Sequence, residues 1–335
     1  MAAAPGSTGL IFIGAPSVPE MVSLAVRAEE RGFESVWVAE TRMTRDAFVP
    51  LAAIAQVTKR IRVGSGILNV YTRNPVVLAL SFIGLEELAP GRVVMGFGPG
   101  SPLVLAPQGV AFDLPLTRLR EHCEVIPRLI SGEAVTYSGR TVQLDGARIE
   151  DLLSDRGATE GPRARLPLLL GVTGPRALEY AGEVADAVMM NISLPTDYVR
   201  AAVERIARGA RRAGRDPSEI EIGMVIATCP HERSDEGKRL AARFVALYLS
   251  MFPNLARETR VDEAIVERTR QIFHGRGLDA AADELGDDIV DSLAAAGTVD
   301  ECRARIQEYR DAGVALPILA PLEDTMSLVV DELAG

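Results

Sequence analysis

Lysine is nearly missing from this chain. Of 36 basic residues only Lys59 and Lys238 are lysines, and arginine supplies the rest. Histidine and cysteine number three each. Cys123, Cys229 and Cys302 are far apart, odd in number and without metal-ligand spacing. That excludes a disulfide framework and a thiolate metal centre, and a reduced, cytoplasmic setting is expected. No run of 18 apolar residues occurs, and the first thirty residues lack a basic segment ahead of an apolar core. Neither a membrane span nor a signal peptide is expected. Basic patches are absent too, and the formal net charge is −10. A nucleic-acid partner is therefore excluded, because a phosphate backbone calls for clustered positive charge.

What is present reads as a large α/β protein. The 335 residues are 47% hydrophobic and 24% charged, ordinary for a globular chain and long enough for one barrel. Apolar runs at 10–13, 35–38, 61–63 and 92–95 alternate with segments of helical period at 18–31, 46–58 and 76–88. The first of these helices should close on Arg31-Gly32, a basic last turn followed by a glycine cap. Such alternation makes βα units and a parallel sheet. After a helix at 116–130, strands at 135–137 and 141–144 form a hairpin around Ser138-Gly139-Arg140. The alternation resumes with strands at 166–170, 187–190, 220–227 and 316–320, while 234–296 is mostly helical. Eight strand candidates predict a single (β/α)8 barrel over residues 1–335, with excursions at 102–165 and 234–290, after the fourth and seventh strands.

In such barrels chemistry sits at the C-terminal ends of the strands. Those ends collect Glu40 and Thr41; Gly66, Ile67, Leu68 and Asn69; Gly98 and Gly100; Gly171, Val172, Thr173 and Gly174; and Asn191. The set is rich in glycine and poor in conventional catalysts. None of His122, His231 and His274 falls on a predicted strand end, each being expected on a surface or helix face, so neither a Ser-His-Asp triad nor a histidine metal site is supported. Gly64 and Gly66, one residue apart in an apolar strand, mark a bulge or a close approach of backbone to a ligand. At Gly171-Val172-Thr173-Gly174-Pro175 a strand runs into a helix that starts on proline. Free N–H groups there, with the Thr173 hydroxyl, suit a phosphate, although a tight turn without ligand has the same sequence. The glycines from 96 to 100 lack GxGxxG spacing, so a Rossmann reading is set aside. Glycine walls, a phosphate cradle and few acid–base groups suit a cofactor that carries its own chemistry.

The segments FESVWVAETRMTRDAF (33–48), GSGILNVYTRNP (64–75), GRVVMGFGPGS (91–101), GVTGPRALEYAGEVADAV (171–188) and AAAGTVDECRARIQEYRDAGV (294–314) resemble the luciferase-like monooxygenase superfamily. They are most similar to its coenzyme F420-dependent branch, which includes the methylenetetrahydromethanopterin reductases. The resemblance implies a non-proline cis peptide at Gly66–Ile67 that backs the cofactor ring. It places Leu68 and Asn69 by the ring and ribityl chain, and Gly171, Val172, Thr173 and Gly174 by the phosphate, with Gly98, Gly100 and Asn191 completing the cofactor site. Where that branch commonly has Asp-His, this chain has Glu40-Thr41, and Phe12-Ile13-Gly14 offers no carboxylate at the first strand end. Both departures argue against a pterin substrate. Glu40 and Thr41 are then the catalytic candidates, with Asn69 and Tyr71 as further polar contacts near the ring. Glu40 is the candidate proton donor; its other possible roles are to hydrogen-bond the ring or cap the second helix. The implied reaction is hydride transfer between the deazaflavin C5 and a small organic substrate, reducing an imine or a conjugated C=C or C=N bond. Two alternatives stay open: an FMN-dependent monooxygenase using reduced flavin and oxygen, and a flavin-type binding protein without turnover. Members of the family are usually dimers, and the helix at 76–88, apolar around much of its circumference, makes a homodimer the expectation.

Overall fold

The computed structural model describes residues 6–14, 16–41, 43–150 and 165–334. Its frame is eight parallel strands: β1 (Gly9–Phe12), β2 (Ser35–Val38), β3 (Arg62–Ser65), β4 (Val93–Gly98), β5 (Leu168–Gly171), β6 (Ala187–Met190), β7 (Glu221–Pro230) and β8 (Leu316–Pro321). Each pairs with its neighbours in chain order, β7 also pairs with β6, and β8 pairs with β1, so the sheet closes. The expected barrel is the observed one. Almost every strand residue is buried, because a closed parallel sheet has side chains facing an inner core and an outer ring of helices.

The inner core is filled by Ile11, Trp37, Val94, Leu169, Met189, Val225 and Ile318. Trp37 is its largest member, fully buried, with its indole N–H donating to Ser35 Oγ at 2.9 Å. Room for it comes from missing side chains: a Cβ on Gly64 would stand 2.4 Å from the indole, and one on Gly9 3.1 Å from its nitrogen. Near the start of the strands, Arg62 bridges Glu34 at 2.6 Å and Glu221 at 3.1 Å. Burial alone would lower the Arg62 pKa, but the two carboxylates hold it above the ordinary value.

The helices keep their sequence signals. Val18–Arg31 opens on a Ser17/Glu20 capping box and closes on Gly32 at φ 94°. Pro75–Leu88 is capped by Asn74, whose side chain accepts from the Val77 N–H, and Val299–Asp311 opens on a Thr298/Glu301 capping box. Beyond β4 come Pro115–Ile130 and the hairpin Val135–Ser138/Gln143–Ala147; the rest of that excursion, 151–164, lies outside the described residues. Beyond β7 come the helices Ser234–Met251, Glu263–Arg276, Leu278–Ala282 and Asp287–Leu293. Among the described residues no helix is long and apolar enough to cross a membrane.

Several strands outrun their predicted ends, β4 and β7 by the most. β4 reaches Gly98, and β7 reaches Pro230 because its last residues pair with Ala295–Gly297 outside the barrel circuit. His231 therefore does follow a strand end, contrary to expectation. It is held locally, its Nδ1 accepting from the Arg233 N–H at 3.1 Å and its own N–H donating to the Gly297 carbonyl.

Candidate active site

The barrel's C-terminal face is shaped by an interruption in β3. Val63 and Gly64 are in register with Val93 and Val94, and then the chain departs at Ser65 and rejoins β4 with Leu68 opposite Phe97 and Asn69 opposite Gly98. The Gly66–Ile67 peptide in the gap is cis. Ser65 covers the break: its hydroxyl donates to the Gly96 carbonyl at 2.8 Å and accepts the Gly96 N–H at 3.0 Å. The bulge throws the Ile67 side chain across the ends of β4 and β5. A Cβ on Gly98 would stand 2.8 Å from Ile67 and from the Gly171 carbonyl, and one on Gly171 only 2.6 Å from Ile67. The bulge and the turn after β5 are thus adjacent. Gly100, at φ 69°, lies under the Asn69 side chain.

That turn is open. Gly174 is exposed, caps the helix Pro175–Val184 without a side chain, and has nothing within 4 Å of where a Cβ would stand. In the first turn Pro175 has no N–H and the Ala177 N–H donates to the Gly174 carbonyl at 3.0 Å, which leaves the Arg176 N–H outside the helical ladder. The Thr173 carbonyl accepts from the Tyr198 hydroxyl at 2.6 Å, and burial raises the pKa of that hydroxyl above the ordinary tyrosine value. Leu68 and Val172 bury their side chains in the outer core, so only their backbones face the site. Asn191 turns its carbonyl oxygen back onto the Ile192 N–H at 2.8 Å.

At the end of β2 the Glu40 carboxylate is gripped from the far side of the bulge. Arg73 donates Nη2 to Oε1 at 2.7 Å and Nη1 to Oε2 at 2.9 Å, and also bonds Asp46. The hydrogen bonds to Glu40 are the main cause that raises the Arg73 pKa, against its partial burial. Asn69 adds an amide contact to Glu40 at 3.4 Å, while its oxygen accepts from the Tyr71 and Thr72 N–H groups at 3.0 Å each. The Glu40 N–H in turn donates to the Ile67 carbonyl at 3.4 Å. Glu40, Asn69 and the cis peptide are one assembly. Thr41 stands beside it and lends its backbone carbonyl to Thr44.

The Tyr71 side chain meets the excursion after β4. Its hydroxyl donates to the Asp113 carbonyl at 2.6 Å and its ring lies between Phe112 and the Arg118 guanidinium, which pins the excursion after β4 to the loop. His122 is buried behind this loop rather than placed on a surface. Its Nδ1 lies 2.8 Å from the Arg118 carbonyl, and desolvation lowers its pKa. Arg73 and Asp46 are the site residues that sequence reasoning missed. Each lies about thirty residues from its partner, and neither has a local pattern that announces the pairing.

Fold and candidate site together define a (β/α)8-barrel protein whose open face is lined by glycines at the ends of its strands. The chain belongs to the luciferase-like monooxygenase family, whose model matches residues 2–316. It is 31% identical to the 5,10-methylenetetrahydromethanopterin reductase of Methanolobus tindarius over 334 residues, which covers 98% of this chain and 99% of the relative. It is 28% identical to the F420-dependent glucose-6-phosphate dehydrogenase of Amycolatopsis mediterranei over 320 residues, 88% of this chain and 86% of the relative. The coenzyme F420 dependent tetrahydromethanopterin reductase from Methanopyrus kandleri superposes with a TM-score of 0.85 at 25% identity, covering 98% of each chain.

Proposed function

We propose that the protein is a coenzyme F420-dependent oxidoreductase, and that it delivers a hydride to an imine or a conjugated C=C or C=N bond of a small organic substrate. The observation that carries this is the uncapped helix start at Gly174 beside the Gly66–Ile67 bulge, in a chain whose full-length relatives include F420-dependent enzymes. The residues present fit that cofactor. The absent side chain at Gly174 and the helix start that follows it leave room for a phosphate. Arg176, the basic residue nearest the turn, is exposed and makes no ion pair among the described residues. With no guanidinium among the described residues bonded at the turn, it suits a phosphodiester that continues into a tail better than the terminal phosphate of FMN.

Bound F420 supplies the hydride from its C5 carbon. The protein's share is to bind, orient and exclude water. The backbone of Gly66, Ile67 and Leu68 supports the ring, and Gly98 and Gly100 keep the neighbouring strand end free of side chains. Gly171, Val172, Thr173, Gly174 and Asn191 take the ribityl phosphate. Arg73 holds Glu40 as an acceptor at the ring edge. The Thr41 hydroxyl, with no hydrogen bond among the described residues, stands as the free donor toward substrate.

The test is a titration with F420 and FMN separately, followed by anaerobic turnover. F420 is expected to bind with a Kd in the micromolar range or tighter, about −8 kcal/mol or better, and FMN more weakly. Reduced F420 should be oxidised by acceptor without oxygen uptake. Turnover that needs reduced FMN and consumes oxygen would make the protein a monooxygenase, and F420 binding without turnover on any acceptor would make it a binding protein.

The same reading includes a homodimer. Val49 and Val57 on the helix Phe48–Val57 and Val77 and Leu80 on Pro75–Leu88 are 64, 45, 44 and 49% exposed, an apolar surface shared by two neighbouring helices. A second copy of this chain is the occupant we assign to it. Sedimentation should give a dimer at micromolar concentration for the natural chain and a monomer for Leu80→Arg. A monomeric natural chain would remove the idea.

A further inference from the structure

We infer that the cleft opening between β8, β1 and the end of β6 is the acceptor's pocket, and that it takes a substrate with an apolar, unsaturated body and a neutral or cationic polar end. Phosphorylated and carboxylated substrates are excluded. The inference rests on the F420 reading above, since it assigns the second ligand of that same reaction.

The cleft has a volume of about 750 Å³, within the range of small-molecule sites. Its inner end is Ile11 and Ile192. Ile11 is also the side chain nearest to Gly66: a Cβ on that glycine would stand 3.0 Å from its Cδ1. The cleft therefore begins where the bulge ends. The residues assigned to the cofactor occupy the β2-to-β6 arc of the face, and the cleft occupies the remaining arc. Its walls include Ile13, Leu24, Phe244 and Leu322. Phe244 comes from Ser234–Met251, in the excursion after β7, and its ring stacks on Tyr248 with centroids 5.8 Å apart. A braced aromatic wall suits a planar, unsaturated partner.

Charge decides the rest. Glu20, Glu323 and Asp324 line the cleft, and no arginine, lysine or histidine does among the described residues. Glu20 accepts from the Ser17 N–H at 2.8 Å and Glu323 lies 3.4 Å from Arg243, whereas Asp324 makes no ion pair among the described residues. A phosphate or carboxylate entering here meets like charge, and the guanidinium groups at the rim are already engaged, Arg243 with Glu323 and Asp279 and Arg45 with the Gly14 carbonyl. An amine or iminium end meets attraction instead.

Calorimetric titration of the full chain, with and without F420, tests this using four probes: benzyltrimethylammonium, benzyl alcohol, phenylacetate and glucose 6-phosphate. The first two should bind at least about ten-fold more tightly than the last two, a difference of about 1.4 kcal/mol that one unfavourable charge contact can supply. Phe244→Ala should weaken both favoured probes, and Asp324→Lys should bring phenylacetate within about three-fold of the cation. Tightest binding by phenylacetate or glucose 6-phosphate overturns the inference, as does a Phe244→Ala variant that binds every probe unchanged. F420 binding with none of the probes bound overturns the pocket alone. Probes in the expected order without F420 binding overturn the cofactor assignment and leave the pocket standing.

Discussion

Glu40→Gln is expected to weaken F420 binding by about ten- to a hundred-fold, with turnover at saturating cofactor staying within about three-fold of the natural chain. The geometry favours one of the roles open to this residue. Both carboxylate oxygens accept from the Arg73 fork, and Asn69 approaches one of them as well. A group held as an acceptor at both oxygens is badly placed to give up a proton. It is well placed to tie the end of β2 to the loop that follows the bulge. The glutamine would turn an amide N–H toward a guanidinium, and a lost hydrogen bond to a charged group is worth about 1.5–3 kcal/mol. Since the Glu40 N–H also reaches the Ile67 carbonyl, the disturbance passes directly to the proposed ring support. Arg73→Lys keeps the charge but not the fork, and should move the same quantity in the same direction. The double variant should be little worse than the stronger single, because both remove one interaction. A collapse of kcat with affinity intact would instead make Glu40 the proton donor.

Gly96→Ala is expected to cost about 3 kcal/mol or more of stability and to abolish cofactor binding, the upper end of what overpacking produces. A Cβ at this position would stand 1.7 Å from the Ser65 carbonyl oxygen and 3.2 Å from its hydroxyl. The obstacle is backbone, so no rotamer change relieves it. Ser65 would have to move and take the adjoining Gly66–Ile67 peptide with it. Ser65→Ala should be milder, about 1–3 kcal/mol, from the buried N–H and carbonyl of Gly96 left without their partner. Gly275→Ala is the control. It lies in the helix Glu263–Arg276 with nothing near its missing side chain, and should gain up to about 1 kcal/mol from helix propensity. Urea titrations of the three variants give the order. A Gly96→Ala protein as stable as the natural chain would mean that the β3 interruption is not the rigid feature described above.

Much of the frame was legible because it is written locally. Buried strands are runs of apolar residues, helices carry their period, and ends carry caps such as Gly32, Asn74-Pro75 and Thr298 with Glu301. Eight such units in alternation leave few topologies besides a closed parallel barrel, and the turn at Gly174-Pro175 could be read for the same reason. The meaning of the other strand-end glycines could not. Gly64 and Gly66 look alike in sequence, yet the first makes room for the Trp37 indole and the second starts the bulge against Ile11, Trp37 and Met189. Gly98 and Gly171 read as walls for a ligand, and the structure also packs Ile67 against both. A glycine records that a side chain must be absent but not what takes its place.

The chain by itself therefore determined the barrel, the strand ends that form its open face and the helix start at Gly174-Pro175. Only the tertiary structure decided that Arg73 grips Glu40, that the Tyr71 hydroxyl bonds the Asp113 carbonyl, and that β7 runs on to Pro230. Periodicity encodes which face of an element is buried. It does not encode which residues, thirty positions or more apart, close an ion pair or a ladder across the barrel's rim.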